Sequence, residues 1–224
     1  MRNVVVTGFG LFRDHKSNPS WEAIKDGQLK LDRPNINVVT KQVKVSYQHV
    51  DQLISRLWDE YKPVLMVHVG LAAFEDSIRI EQVARHGPYM HKDVDQQAPH
   101  EDLRLFYEKH TATGEDTASG NSSSSASIME PACKFDCSQS CFNIERVCDK
   151  LNKLHKQGKV PIGFKCSQDA GLYVCEYIYQ KSLRVCNRAV FIHVPDTDRF
   201  PLEDIRSAIK LVIEVLLDEL NEIE

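Results

Sequence analysis

The segment Pro63-Val64-Leu65-Met66-Val67-His68-Val69-Gly70 is a nearly continuous apolar run bounded by a proline and a glycine. Such a run, without polar alternation, is typical of a strand that is covered on both faces. The preceding residues 47–61 have apolar side chains on one helical stripe, at Val50, Leu53, Ile54 and Leu57. This order predicts a helix, ended by the proline, that leads into a buried strand of an α/β fold.

The same alternation extends in both directions along the chain. Further strands are predicted at residues 3–7, 36–45, 160–166 and 189–194, and residues 78–83 form either a strand or an extended arm. Further helices are predicted near residues 21–25, 138–157, 171–183 and 202–222. Strands that alternate with helices predict a sheet with helices on both faces.

Length and composition favour one domain spanning residues 1–224, because 224 residues with 42% hydrophobic content can bury one sizeable core. The net charge is −4 and no Lys/Arg run is long enough to follow a phosphate backbone, which argues against nucleic acid as a partner. The apolar run near the N-terminus is too short for a signal peptide, and no segment reaches membrane-spanning length. We therefore expect a cytoplasmic protein that does not bind membranes.

One segment interrupts the alternation. Residues from about 111 to 130 have few apolar side chains and include Gly120-Asn121-Ser122-Ser123-Ser124-Ser125. A segment of this composition cannot bury enough apolar surface to offset its ordering entropy. We expect a disordered surface insertion between the two halves of the domain.

The seven cysteines are expected to be reduced thiols, since their number is odd and no secretion signal precedes them. Cys141 and Cys148 fall with Ile144 and Leu151 on one face of a predicted helix, which favours buried core thiols. No metal site is predicted. The spacing of Cys133 and Cys137, which precede that helix, leaves a metal site there as an alternative.

Two stretches suggest nucleophilic chemistry. Residues 167–175, Ser-Gln-Asp-Ala-Gly-Leu-Tyr-Val-Cys, place Cys175 at the start of a predicted helix, and His193 lies 18 residues later at the end of a predicted strand. A helix N-terminus and a neighbouring imidazole both favour the reactive thiolate. Glu81 lies 11 residues beyond Gly70 and is expected at the same sheet edge. This pattern predicts Cys175 as nucleophile, His193 as base and Glu81 as the residue that orients the imidazole.

Each of these residues also has an ordinary structural interpretation. With Ile178 and Tyr179 at helical spacing, Cys175 fits a buried thiol on a core-facing stripe. His193 fits a strand-end histidine bonded to a loop carbonyl, and Glu81 fits one carboxylate of a solvated face. A cysteine followed by a histidine does not by itself decide between these interpretations.

Five stretches together resemble the pyroglutamyl peptidase I family of cysteine peptidases. The residues that carry the resemblance are Thr-Gly-Phe-Gly-Leu-Phe at 7–12, Asn-Pro-Ser-Trp at 18–21, Glu-Gln-Val-Ala at 81–84, residues 167–175 and His-Val-Pro at 193–195. They occur in the family's order in both halves of the chain. The close spacing of the cysteine and the histidine is similar to that of the animal branch.

The resemblance implies a three-layer α/β/α sandwich with a mostly parallel twisted sheet. It also implies removal of an N-terminal pyroglutamyl residue from peptides by a Cys-His-Glu triad, with neither metal nor cofactor. Cys175, His193 and Glu81 take the triad positions. The partners implied are pyroglutamyl-terminated peptides.

Five further residues take the family's substrate positions. The pyroglutamyl lactam is small, flat and uncharged, so its pocket is expected to combine aromatic walls with a few amide hydrogen bonds. The resemblance gives Phe9 and Phe12 the role of walls, Asn18 that of fixing the ring, and Tyr173 with Val174 that of closing the pocket. Core packing is the alternative role for the two phenylalanines.

Some positions depart from the family pattern. Leu71 stands where bacterial members have a glutamine, and residues 83–95 match poorly. These departures motivate a second hypothesis, a catalytically weak relative that binds pyroglutamyl-terminated peptides without cleaving them. A third hypothesis, a nucleoside phosphorylase-like enzyme, lacks support because no glycine loop suited to phosphate is present.

Overall fold

The computed structural model of the chain describes residues 1–12, 17–25, 27–99 and 137–223. The strands are β1 (Arg2–Phe9), β2 (Ile36–Val43), β3 (Leu65–Leu71), β4 (Ser77–Glu81), β5 (Val83–Arg85), β6 (Cys137–Gln139), β7 (Gly163–Ser167) and β8 (Ala189–Val194). The helices are α1 (Pro19–Glu22), α2 (Tyr47–Tyr61), α3 (Ile144–Lys156), α4 (Val174–Val185) and α5 (Leu202–Ile223).

Six strands form the main sheet in the order β2-β1-β3-β8-β4-β7. β1, β2, β3 and β8 run parallel to one another, whereas β4 runs antiparallel to β8 and parallel to β7. β5 and β6 pair as a separate antiparallel ribbon. The predicted extended segment near residue 80 is thus a strand, and it marks the point where the sheet changes direction.

Helices cover both faces of the main sheet, which confirms the predicted α/β/α sandwich with a mostly parallel sheet. Because side chains alternate along a strand, Val4, Val67 and Ile192 face one layer while Val5, Met66 and Phe191 face the other. The first layer consists of α1, α3 and α5, and the second of α2 and α4. Each face therefore has its own apolar core, which explains why the central strands lack polar alternation.

Some predicted boundaries agree with the structure and others are wrong. The bounds of α2 and β8 are as predicted. The helix predicted from residue 138 begins at Ile144, because the Asn143 side chain accepts a hydrogen bond from the Arg146 amide and caps the helix there. Cys137–Gln139 instead forms β6.

The cysteine predictions have a mixed outcome. Cys148 is buried on α3, as predicted, whereas Cys141 precedes the helix and is half-buried. The predicted insertion at 111–130 and Cys133 lie outside the described residues. Within the residues that the structure describes, no helix has the length and apolar character needed to cross a membrane.

Candidate active site

One face of the sheet, the face covered by α4, carries the predicted catalytic residues. On β8 the side chain of His193 lies on the same face as Phe191, which belongs to the core between the sheet and α4. On β4 the neighbouring residues Ile78 and Ile80 face the opposite core, so that Arg79 and Glu81 face α4. The period-two alternation of two adjacent strands thus places these side chains together.

His193 and Glu81 are hydrogen-bonded. The antiparallel register pairs Arg79 with His193 and Glu81 with Phe191, which makes Glu81 the diagonal neighbour of the histidine. Nδ1 of His193 lies 2.8 Å from Oε1 of Glu81, and both side chains are buried. The bond leaves Nε2 as the ring nitrogen that accepts a proton. Glu81 thus reaches the histidine at this edge of the sheet, as expected, although β4 runs antiparallel to β8.

Cys175 is the second residue of α4, because this helix begins at Val174, three residues after its predicted start at residue 171. Its sulfur packs against Gly70 of β3, since a Cβ atom built on Gly70 would lie only 3.1 Å from Sγ. Gly70 is in turn the register partner of His193. The sulfur and the imidazole therefore lie over adjacent positions of neighbouring strands.

The resting site favours a neutral thiol. Burial raises the pKa of Cys175 to about 12, and the carboxylates of Glu81 and Glu176 act in the same direction. These effects outweigh the helix N-terminus, which alone favours the thiolate. Attack by this sulfur requires that a base remove its proton.

Glu176, the residue after the cysteine, has a fully buried carboxylate. It accepts hydrogen bonds from the Leu172 amide at 2.6 Å and from the Arg85 amide at 2.9 Å. The guanidinium of Arg85 adds two bonds of 2.7 Å, one to each carboxylate oxygen, and also contacts Asp169. Together these bonds fix the first turn of α4 and the loop before it, and so the position of the cysteine.

A cavity of about 620 Å³ lies beside this loop. Phe12 and Tyr173 line it, with ring centroids 5.7 Å apart. Its other lining residues are His91, Lys92, Asp93, Val94, Gln96 and Gly171. Four of these residues, His91 to Val94, fall within the stretch 83–95 where the family pattern matches poorly.

The other predicted substrate residues lie beneath the surface. Phe9 and Val174 belong to the core between the sheet and α4. Asn18 is buried, caps α1 by accepting from the Ser20 amide, and donates to the Gly10 carbonyl at 2.9 Å. These contacts hold the segment that leads to Phe12.

A second cavity, of about 320 Å³, opens on the histidine. It is lined by Arg79, Ser167, Asp169, Ala170, Gly171 and His193. Gly171 lines both cavities, so they adjoin at the loop before the nucleophile helix. A peptide that occupied both would pass the loop before Cys175 and reach the histidine.

The sequence did not predict a role at this site for three charged residues: Arg79, Arg85 and Glu176. Arg79 contacts Glu81, and the other two form a buried pair. The alternation Arg79-Ile80-Glu81 in a possible strand could have placed Arg79 beside Glu81, because residues two apart in a strand share a face. Nothing in the sequence indicates the pairing of Arg85 with Glu176, which are 91 residues apart.

Within the described ranges, no group of three or more His, Cys, Asp and Glu side chains is arranged to hold a metal ion. The fold and the candidate site together supply the side chains that a cysteine-type hydrolase requires.

Comparison with known proteins gives a consistent result. Residues 2–95 match the model of the pyroglutamyl peptidase family. The chain is 27% identical to pyroglutamyl-peptidase 1 of Homo sapiens, over 99% of this chain and 92% of that protein. It is 26% identical to the pyrrolidone-carboxylate peptidase of Pyrococcus furiosus, over 97% of this chain and 99% of that protein.

A solved structure agrees with these matches at the level of the fold. The pyrrolidone carboxyl peptidase of Thermococcus litoralis superimposes with a TM-score of 0.73 at 22% identity, covering 100% of this chain and 97% of that one. The comparisons confirm the resemblance predicted from the sequence: this chain is similar to pyroglutamyl peptidases along its length.

Proposed function

We propose that the protein is a cysteine exopeptidase that hydrolyses the bond after an N-terminal pyroglutamyl residue of peptides. The observation that carries this proposal is the 2.8 Å bond between His193 and Glu81, on the sheet face where the Cys175 sulfur packs. The relationship to pyroglutamyl peptidases supports the choice of substrate. Reduced cysteines suit the cytoplasm, where we propose that the enzyme acts.

In the proposed reaction Cys175 attacks the carbonyl carbon of the peptide bond that follows the pyroglutamyl ring, while His193 takes the thiol proton. The new S–C bond gives a tetrahedral intermediate, which collapses as the C–N bond breaks and His193 returns the proton to the leaving amine. Water then attacks the thioester, gives a proton to His193, and releases pyroglutamate with the thiol restored. Glu81 holds the imidazole in the required tautomer and stabilises its charged form.

The protonation state of the Cys175 thiol determines at which point in the reaction His193 acts as a base. Since the pKa of Cys175 is raised to about 12, the proton is transferred during attack rather than before it. Backbone amides in the first turn of α4, including that of Cys175, lack helical acceptors, and in the proposed reaction they donate to the developing oxyanion. These amides would stabilise the negative charge of the tetrahedral intermediate.

The larger cavity is the proposed site for the pyroglutamyl ring. Phe12 and Tyr173 provide aromatic walls for a flat lactam. Phe9, Asn18 and Val174 support these walls from below through the contacts described above. The chemistry needs no metal or cofactor, since the three side chains provide the nucleophile, the base and the orienting carboxylate.

Hydrolysis of a fluorogenic pyroglutamyl amide tests the proposal. Cys175→Ala is expected to lower kcat/KM by about 1,000-fold or more, because no other group can form the acyl intermediate. Cys186→Ala is the matched control, because this partly exposed cysteine follows the far end of the same helix and is expected to leave the rate unchanged.

Two results would reject the proposal: no turnover by folded wild-type protein, or full activity in Cys175→Ala. Saturable binding of a pyroglutamyl peptide that is recovered intact would instead support a binding protein without hydrolytic activity. Mass spectrometry of the peptide after incubation separates these outcomes.

A further inference from the structure

Arg79 lies directly across the strand pair from His193 and on the same sheet face. Its Nη2 donates to Oε1 of Glu81 at 3.1 Å, the same oxygen that bonds to Nδ1 of His193 at 2.8 Å. The guanidinium and the imidazole therefore share one carboxylate oxygen. Glu81 is fully buried, so its charge depends on these two partners.

The same guanidinium also binds the loop that leads to the nucleophile. Nη2 donates to Oγ of Ser167 at 3.2 Å and to the carbonyl oxygen of Asp169. Nη1 donates to Glu75 at 3.2 Å, in the turn before β4. Burial opposes the charge on Arg79, but Glu81 and Glu75 outweigh it and raise its pKa, so the group is a permanent cation.

We propose that Arg79 is a positioning residue that couples the Glu81–His193 pair to the loop before Cys175, and so sets both the orientation and the proton affinity of the catalytic imidazole. This inference rests on the proposed hydrolase function. Arg79 acts through Glu81 and the loop, because its guanidinium bonds to Glu81, to this loop and to Glu75, and among the described residues it bonds to neither Cys175 nor His193. A single planar donor group can hold these elements because it presents five N–H groups in a fixed fork.

Loss of the positive charge of Arg79 is expected to change the proton affinity of His193 in one direction. Ionisable groups on the elements packed against this face of β8 are Arg79 and Glu81 on β4, His68 on β3, Cys175, Glu176 and Tyr179 on α4, and Asp169 in the preceding loop. Removing the cation leaves Glu81 to interact with His193 alone. The pKa of His193 then rises, and the neutral base is lost at a higher pH.

Arg79→Gln is expected to move the acidic limb of the pH profile of kcat/KM upward by about 0.5–1 pH unit. The maximal rate should fall about 10- to 100-fold, because the loop and the imidazole lose a shared anchor. Arg79→Lys keeps the positive charge, so the acidic limb of the pH profile should stay in place. The maximal rate should still fall, because a lysine cannot make all of the bonds of the guanidinium. Lys165→Gln is the matched control: Lys165 is the register partner of Arg79 on β7, pairs with Asp76, and should behave as wild type.

NMR titration of His193, assigned with His193→Gln, gives a readout that does not require turnover. The proposal predicts a higher pKa for His193 in Arg79→Gln than in wild type, and little change in Arg79→Lys and Lys165→Gln. Coincident titrations in Arg79→Gln and wild type would overturn it, as would an unchanged rate. If Arg79→Gln does not fold, Arg79→Lys decides, since a wild-type rate in that variant would contradict the anchoring role.

The two hypotheses can fail separately. Absence of hydrolysis by the wild type rejects the peptidase function while the titration still measures the coupling of Arg79 to His193. Hydrolysis with coincident titrations rejects the role of Arg79 alone.

Discussion

Two buried carboxylates flank the candidate nucleophile, and each is bonded to an arginine. Glu81 contacts Arg79, and Glu176 contacts Arg85 through both of its oxygens. An unpaired buried carboxylate is costly, so each arginine stabilises a charge that the site needs for another purpose. Glu81 orients the histidine, and Glu176 fixes the first turn of the nucleophile helix.

A second histidine, His68, is kept uncharged by burial. His68, two residues before Gly70 on β3, is fully buried between the hydroxyls of Thr7 and Ser182, each 2.7 Å from a ring nitrogen. Burial lowers its pKa to about 3. The imidazole is therefore neutral in the folded protein and serves as a hydrogen-bonding bridge between β1, β3 and α4.

His68 makes the protein sensitive to acid. In the unfolded chain its pKa is about 6.5, so between pH 6.5 and 3 the unfolded state binds the extra proton and stability falls as the pH falls. From pH 7 to pH 5 this residue should remove about 2 kcal/mol from the free energy of unfolding. Urea denaturation of wild type and His68→Gln at both values measures the difference, which should be smaller in the variant.

Ser182→Ala provides the control for this experiment. It removes one of the two hydroxyl partners but keeps the buried histidine. We expect lower stability than wild type at pH 7 with a similar loss on acidification. Parallel pH dependences in His68→Gln and wild type would show that another group is responsible.

At the scale of secondary-structure elements, the close approach of β3 to α4 positions the sulfur. Gly70 provides this approach, because a Cβ at that position would lie 2.7 Å from the Phe191 ring and 3.1 Å from Sγ of Cys175. A distance of 2.7 Å cannot be accommodated without movement of the ring or of the strand. The glycine that ends the apolar run thus has a role in packing at the site.

Gly70→Ala is expected to displace the sulfur and to lower kcat by about 100-fold, a loss typical of a misplacement of about 1 Å. The accompanying loss of stability should be about 1–3 kcal/mol, as for other overpacked cores. Gly10→Ala is the matched control, because a Cβ there would lie no closer than 3.6 Å to any neighbour. Equal kcat values for the two variants would contradict this role of Gly70.

At the scale of the whole molecule, one sheet separates two apolar cores. Trp58 on α2 lies in one core, and Trp21 on α1 packs against the other. The central strands β1, β3 and β8 contribute side chains to both. We propose on this basis that residues 1–224 form one domain.

The two tryptophans allow a test of that proposal. Trp21→Phe and Trp58→Phe each leave a single fluorescent reporter, on opposite faces of the sheet. When each variant is unfolded in urea, its fluorescence and far-UV circular dichroism are expected to change with the same midpoint, because neither core persists without the shared sheet. Transitions that separate within one variant would indicate two independently folding units.

Much of the fold could be predicted because it depends on local patterns. The bounds of α2 follow from a 3.6-residue apolar stripe, and those of β8 from a short apolar run. The start of α3 was predicted too early because residues 137–139 form a strand. This strand pairs with β5, about 50 residues earlier in the chain, and local periodicity does not indicate such a distant partner. The direction of β4 was missed for the same reason.

The sequence by itself determined the two-sided sheet, the presence of a cysteine at a helix start and a histidine at a strand end, and the resemblance to a peptidase family. These are properties of residue type, spacing and order. Only the tertiary structure decided that Glu81 lies diagonally opposite His193, that Arg79 joins this pair to the nucleophile loop, and that the thiol is neutral at rest. Strand direction, burial and charge pairing depend on residues far apart in the chain, whose contacts exist only once the chain has folded.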